Sequence, residues 1–119
     1  MNEVKVVSAA EAEVQDQEWG RLTWKASRAL GNTEKMTVGI CEINPGGQNP
    51  RHMHPSCMEI IHVLQGTIAH TFGDEEVVMH VGDTISVPAR IYHNARNIGD
   101  DRVILAISFD SADRETVAE

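Results

Sequence analysis

The sequence is short of cysteine, aromatic residues and basic charge, and these shortages exclude several classes of protein. Its 119 residues include two cysteines, Cys41 and Cys57, too few for the disulfide framework of a small secreted domain. The sequence has ten basic and eighteen acidic residues, which gives a net charge of −8. This balance argues against nucleic acid or an anionic membrane surface as a partner. No apolar run approaches the roughly 20 residues of a membrane-spanning helix.

The beginning of the sequence carries no targeting signal that we can identify. It is polar and acidic (MNEVKVVSAAEAEVQDQE) and lacks the basic region and apolar block of a signal peptide. With so few cysteines, we therefore expect a cytoplasmic protein. The length suits one domain, so we divide the chain into an acidic N-terminal segment (1–18), a β domain (19–110) and an acidic C-terminal tail (111–119). The first segment is expected to contribute to a dimer interface or to be mobile.

Short β-like runs separated by turn signals dominate the chain. Eight are predicted, at residues 21–27, 36–44, 58–65, 67–72, 77–81, 84–88, 92–97 and 102–109. Only residues 9–18 have a helical composition, and a disordered segment is the alternative there. Strands at this spacing, with alternating polarity in several of them, predict an all-β sandwich or barrel.

Two histidines and a glutamate stand where a purely structural role is costly. Side chains alternate along an extended chain, so His52 and His54 point to the same face. In the next strand Glu59 shares a face with Ile61 and Val63, which would carry the carboxylate into the core. A buried carboxylate needs a positive partner. A divalent metal bound by the two imidazoles and the carboxylate would supply that charge.

Two longer motifs resemble the signatures of the cupin family. The first is Gly46-x5-His52-x-His54-x4-Glu59-x6-Gly66, and the second is Gly82-x5-Pro88-x-Arg90-x2-His93-x3-Asn97. The resemblance implies that residues 19–110 form a single-domain jelly-roll β-barrel. It also implies one divalent metal per chain, bound inside the barrel by His52, His54, Glu59 and His93. Glu59 is the ligand to which we also assign a catalytic role.

The second motif departs from the family at Arg90, where glycine is usual. Glycine eases a backbone conformation with positive φ, which an arginine adopts at some cost. An exposed structural arginine is the favoured interpretation of this position. The functional alternative is that Arg90 reaches the mouth of the barrel and attracts a carboxylate substrate.

The other reactive side chains receive mostly structural interpretations. We expect His62, His70 and His80 to lie at the surface or in an interface. Cys57 has the same strand parity as Glu59, so it either faces the pocket or serves as a small buried hydrophobe, and we favour the second. Ile40 alternates with other apolar residues along its strand and either lines the pocket or fills the core.

The ligand set favours a metalloenzyme. Three imidazoles and one carboxylate leave about two open positions on a six-coordinate metal. Nitrogen and oxygen ligands favour Fe, Mn, Ni or Co over structural Zn, which often takes thiolates. With Ile61 and Val63 as apolar walls, we expect a dioxygenase-like oxidoreductase acting on a small organic substrate. The alternatives are a non-catalytic cupin that binds a small molecule or sugar, and a cupin lyase, isomerase or decarboxylase.

A homodimer is expected, because the apolar outer face formed by Ile60, His62 and Leu64 needs cover and small β domains protect their exposed strands by pairing.

Overall fold

Two antiparallel sheets pack face to face in the computed structural model, which describes residues 3–119. A short 3-10 helix (Ala9–Glu11) precedes eleven strands in this part of the chain. The strands are β1 (Glu13–Gln17), β2 (Gly20–Ala26), β3 (Thr37–Ile43), β4 (His52–Met53), β5 (Glu59–Gln65), β6 (Ile68–Phe72), β7 (Glu75–Met79), β8 (Thr84–Val87), β9 (His93–Asn97), β10 (Val103–Phe109) and β11 (Val117–Ala118). One sheet has the order β1-β2-β3-β10-β5-β8 and the other β11-β4-β9-β6-β7. The predicted all-β jelly-roll barrel is confirmed.

Strict alternation of side chains places the core between the two sheets. In β3 and β10, and in β5 as far as Val63, every second residue is buried while its neighbours are more exposed, which is typical of strands with one face on a core. Glu59, Ile61 and Val63 are buried on the inner face of β5, as predicted. The core is built from Trp24, Cys41, Ile43, Cys57, Ile61, Val63, Ile68, Met79, Val87, Ala95, Val103, Leu105, Ile107 and Phe109.

Three predictions about elements are wrong. The helical composition of residues 9–18 yields only one 3-10 turn, and residues 13–17 instead form β1, which pairs with β2. The strand predicted at 77–81 begins two residues earlier, because its exposed first four residues pair with β6. Ile40 lies on the outer face of β3, since Cys41 and Ile43 occupy the inner one.

Arg90 has the positive φ that the resemblance predicts for its position. Its φ is 67°, and Arg90 is the only non-glycine residue with positive φ among residues 3–119. An L-residue in this conformation is strained. The turn is stabilised by a hydrogen bond from the Arg90 N–H to the carbonyl of His54, at 2.9 Å. The arginine side chain is exposed, which agrees with the favoured structural interpretation.

The predicted acidic tail is part of the second sheet. We call residues 111–119 the C-terminal strap. Its strand β11 pairs with β4, with Ala118 opposite His52. Arg51 secures the end of the strap through an ion pair with Glu119, at 2.9 Å, and also donates to the Thr71 hydroxyl. The strap therefore covers the edge of the strand that carries the first predicted metal ligand.

The structure describes no helix among residues 3–119 that is long and apolar enough to cross a membrane.

On the outer face of β5, Leu64 is exposed and His62 is hydrogen-bonded to the Thr84 hydroxyl at 2.7 Å. The homodimer and the cytoplasmic location stay predictions.

Asn97 joins the two sheets at the end of β9. Its buried side-chain amide donates to the carbonyls of Ile43, at 3.0 Å, and Asp101, at 2.8 Å. Its oxygen accepts from the Gly99 N–H at 3.0 Å. Because the donor group faces two acceptors, no carboxylate can replace it without a lost hydrogen bond.

We expect Asn97→Asp to destabilise the protein by more than about 2 kcal/mol, since it places an acceptor against two carbonyl oxygens in a buried site. Gln65→Glu is the matched control, because that exposed amide also donates to a carbonyl, of Arg102; it should cost less than about 1 kcal/mol. Equal losses in denaturant unfolding would contradict the role of Asn97.

Candidate metal centre

The four predicted ligands meet inside the barrel. His52, His54, Glu59 and His93 each offer one ligand atom, and these atoms lie within 4.8 Å of one another. His52 belongs to β4 and His93 to the neighbouring β9, where the two residues are directly paired. Glu59 comes from β5 of the opposite sheet. The cluster therefore lies where the two sheets face each other.

Backbone carbonyls orient two of the imidazoles. His52 Nδ1 lies 2.7 Å from the carbonyl oxygen of Pro50, and His54 Nδ1 lies 2.8 Å from that of Glu115. A carbonyl can only accept, so each Nδ1 carries the proton and donates it. Each Nε2 is thereby left with a free lone pair, the state in which a neutral imidazole ligates a metal.

His70 orients the third imidazole, and the prediction that it lies at the surface is wrong. Its side chain is 1% exposed, and its Nε2 lies 3.0 Å from Nδ1 of His93. If His93 ligates through Nε2, its Nδ1–H donates to His70. The signal was present in the sequence, because His70 shares strand parity with Ile68, a core residue, and with Phe72.

The atoms aimed at the centre of the cluster have no ordinary hydrogen-bond partner. Among the described residues, Nε2 of His54, Nε2 of His93 and Oε1 of Glu59 are all buried and unpaired. The carboxylate oxygen lies 3.2 Å from the first nitrogen and 3.3 Å from the second. Buried polar atoms normally find partners, and here only acceptor atoms face one another. This donor set fits a divalent cation.

Burial keeps the imidazoles in the form that binds metal. Burial is the largest of the causes that lower the pKa of His93 to about 2, and the neighbouring imidazoles of His52 and His70 contribute to the same shift. Burial also lowers the pKa of His52 and brings that of His70 to about 4. These rings are neutral at pH 7, so a metal does not have to displace a proton from them.

A cavity of about 350 Å³ opens beside the cluster. Its walls are mainly apolar, and the polar contributions come from the histidine cluster with His70, from Arg114 and Thr116 of the strap, and from Gln17, Asn49 and Arg51. The apolar wall residues are Trp19, Leu22, Trp24, Cys41, Pro50, Ile61, Ala95, Leu105, Ile107, Phe109 and Ala118. This size and character suit a small organic ligand.

Several residues that the sequence suggested for the pocket do not line the cavity. Arg90 and Val63 are absent from the cavity wall. Cys57 is a buried core residue, as favoured, and also lies outside that wall. Cys41 borders the cavity instead, but burial raises its pKa to about 12, so it stays a thiol and is a poor ligand or nucleophile. The strap residues were missed, because the sequence shows only an acidic tail there.

We expect about one divalent cation per chain in protein purified without chelator, measured by elemental analysis. His52→Ala and His93→Ala should lose it, because each removes an imidazole nitrogen, whereas His80→Ala should retain it. His70→Ala should weaken affinity by about 10- to 100-fold, since it removes the orienting partner of His93. Full metal content in both ligand variants would place the site elsewhere.

The metal-free protein should lose stability as pH falls from 6.5 toward 4. The pKa of His70 is lowered from 6.5 to about 4 by burial, so in this window the unfolded state takes up a proton that the folded state does not. The contribution of neutral His70 to the free energy of unfolding is complete above pH 6.5, and its loss at low pH amounts to roughly 3 kcal/mol. Denaturant unfolding at several pH values measures it. His70→Asn should reduce the slope, to which His93 and His52 also contribute through their lowered pKa values, and His80→Asn should leave it unchanged; equal slopes in both would contradict this account.

The sequence is similar to a known protein family and to several curated proteins. Residues 39–109 match the model of the Cupin domain family, Cupin_2. Germin-like protein 3-8 of Oryza sativa subsp. japonica is 32% identical over 85 residues, covering 67% of this chain and 38% of the relative. Oxalate oxidase 1 of Hordeum vulgare is 27% identical over 96 residues, covering 74% of this chain and 46% of the relative. The chain thus spans less than half the length of these relatives.

Solved structures show the same fold. The formate complex of oxalate decarboxylase from Lactobacillus farciminis superposes with a TM-score of 0.85 at 22% identity, covering 92% of this chain and 34% of that one. Oxalate decarboxylase from Bacillus subtilis at pH 4.6 gives a TM-score of 0.83 at 21% identity, covering 92% of this chain and 30% of that one. At this identity the likeness concerns the fold alone. With the family match extending over more than half of its residues, the chain belongs to the cupin family.

Proposed function

We propose that the protein is a metal-dependent oxidoreductase, most simply a dioxygenase, that acts on a small organic molecule in the barrel. The observation that carries this proposal is the set of inward-facing, unpaired ligand atoms beside an apolar cavity. When bound, divalent iron or manganese would supply redox chemistry and about two open coordination positions. The protein residues would supply binding, orientation and exclusion of water.

The cavity offers little for acid–base chemistry without a redox step. Glu59 is the only carboxylate in its wall among the described residues, and as a ligand it is already engaged. Cys41 stays protonated, and His70 accepts from His93 through Nε2, so its unpaired Nδ1 carries the proton and is not available as a base. Lyase and isomerase reactions need a free general acid or base near the substrate. This composition favours a reaction that depends on redox chemistry at the metal and does not need a general acid or base from the protein.

The apolar walls have a role of their own in such a reaction. Ile61, Leu105 and Phe109 keep water from the substrate side of the cluster, which protects reactive species from hydrolysis. His52, His54 and His93 come from strands or their ends and have fixed orientations. A substrate bound beside these imidazoles therefore does not require them to change their orientation.

One of the curated relatives supports the same class of reaction. Oxalate oxidase 1 of Hordeum vulgare is an oxidase by name, and its similarity covers 74% of this chain. Because the chain corresponds to under half of that protein, the relative supports only the class of chemistry and not the substrate.

Oxygen uptake by iron- or manganese-loaded protein is the direct test, with a panel of catechols, flavonoids, diketones and hydroxy acids. We expect uptake that requires a substrate, and a loss of at least about 100-fold in Glu59→Gln, which keeps the shape of the side chain but removes its charge. Glu42→Gln is the control, because that carboxylate lies outside the cavity and pairs with Arg102. Carbon dioxide release without oxygen uptake would instead indicate a decarboxylase. Saturable binding without turnover would indicate a binding protein.

A further inference from the structure

Arg114 lies in the C-terminal strap and borders the cavity. Its guanidinium carbon is 4.2 Å from the ring centroid of Trp24 and 5.5 Å from that of Phe109. The two rings are part of the core and belong to β2 and β10. Stacking on them holds the planar cation against the cavity wall.

Arg114 lacks the carboxylate partner that comparable arginines have. Arg21, Arg28 and Arg51 each form an ion pair at 2.7 to 2.9 Å. Among residues 3–119, no carboxylate oxygen lies within ion-pair distance of Arg114, although Glu59 and Glu13 are near enough to raise its pKa. Burial is the larger influence on that pKa and lowers it.

The hydrogen-bonding capacity of Arg114 is mostly unused. Its Nη1 donates to the Thr116 hydroxyl at 2.7 Å, whereas a guanidinium has five N–H donors. Arg114 is only half-buried and lines the cavity, and among the described residues none of its nitrogens is a buried atom without a partner. The unused donors are therefore accessible to an anion that enters the cavity. The protein is acidic overall, so the missing pairing is a local feature of this wall and does not reflect a shortage of carboxylates.

Thr116 also connects Arg114 to the metal-ligand cluster. Its hydroxyl oxygen lies 3.4 Å from Nδ1 of His54. Because both distances share this oxygen, Nη1 of Arg114 lies within about 6 Å of the His54 ring. A ligand of a few bonds in length can therefore reach both the cation and the cluster.

We propose that Arg114 is a specificity-determining residue that binds a carboxylate of the substrate. The substrate class is a small organic acid whose carboxylate pairs with the guanidinium while its other end faces the histidine cluster. This inference rests on the proposed function and names its substrate class. It also moves the anion-binding role considered for Arg90 to a residue of the strap.

Zinc-loaded protein permits a binding test, because zinc has no redox chemistry and the ligand is not consumed. Isothermal titration calorimetry would compare succinate, malate and phenylpyruvate with their uncharged methyl esters. Arg114→Met keeps a long apolar side chain over Trp24 but removes the charge. Arg21→Met is the matched control, since that arginine is exposed and pairs with Asp16. Zinc content of each variant verifies that the cluster is intact.

We expect Arg114→Met to weaken binding of at least one of these acids by about 10- to 100-fold, the usual effect of a charge-assisted hydrogen bond. Its ester should bind with unchanged affinity, Arg114→Lys should lie in between, and Arg21→Met should match the unmodified protein. Equal weakening of acid and ester would show that Arg114 only packs on Trp24, and would overturn the proposal. So would the absence of saturable binding by all three acids.

The result is separable from that of the oxygen-uptake test. Selective loss of acid binding in zinc-loaded Arg114→Met supports the subsite even if the iron protein oxidises nothing. Oxygen uptake with a neutral substrate that is unaffected by Arg114→Met supports the oxidoreductase and overturns the subsite.

Discussion

The buried carboxylate of Glu59 is the interaction on which the site depends. It projects from β5 toward imidazoles carried by the opposite sheet, with Oε1 between the Nε2 atoms of His54 and His93. Each of these rings has its Nδ1 hydrogen-bonded, one to a strap carbonyl and one to His70. The interior is thus arranged for one positive charge that the side chains do not provide.

The C-terminal strap connects this electrostatic arrangement to ligand binding. It orients His54 through the Glu115 carbonyl, pairs as β11 with the strand of His52, and brings Arg114 to the cavity wall. A single segment therefore contacts both the candidate metal ligands and the proposed anion subsite. Its ion pair between Arg51 and Glu119 is partly exposed and contributes little by itself. The strap is also held by the β pairing, the stacking on Trp24 and the buried side chain of Ala112.

The barrel and the meeting of His52, His54 and Glu59 could be predicted because they leave local signals, whereas His93 was added by the resemblance to the second cupin motif. Alternating polarity locates β5 and β10, and the spacing of His52, His54 and Glu59 is set within one strand–turn–strand unit. The strap could not be predicted, because its two-residue strand and polar composition depend on pairing with a distant segment. His70 was misassigned for a different reason: its strand parity with Ile68 predicts burial, but a histidine is usually expected at the surface, and that general expectation was given more weight than the parity.

The claim that Glu59 balances the charge of a bound dication is tested most directly by the sign of the change in unfolding free energy caused by Glu59→Gln. The free energy of unfolding of Glu59→Gln is compared with that of the unmodified protein, first with chelator and then with saturating manganese. If Glu59 exists to balance a bound dication, the substitution should stabilise the metal-free protein, by removing an uncompensated buried charge, and destabilise the metal-loaded one, by removing a ligand. Destabilisation of the metal-free protein would contradict the account, because it would show that Glu59 is a structural ion-pair partner of the histidines.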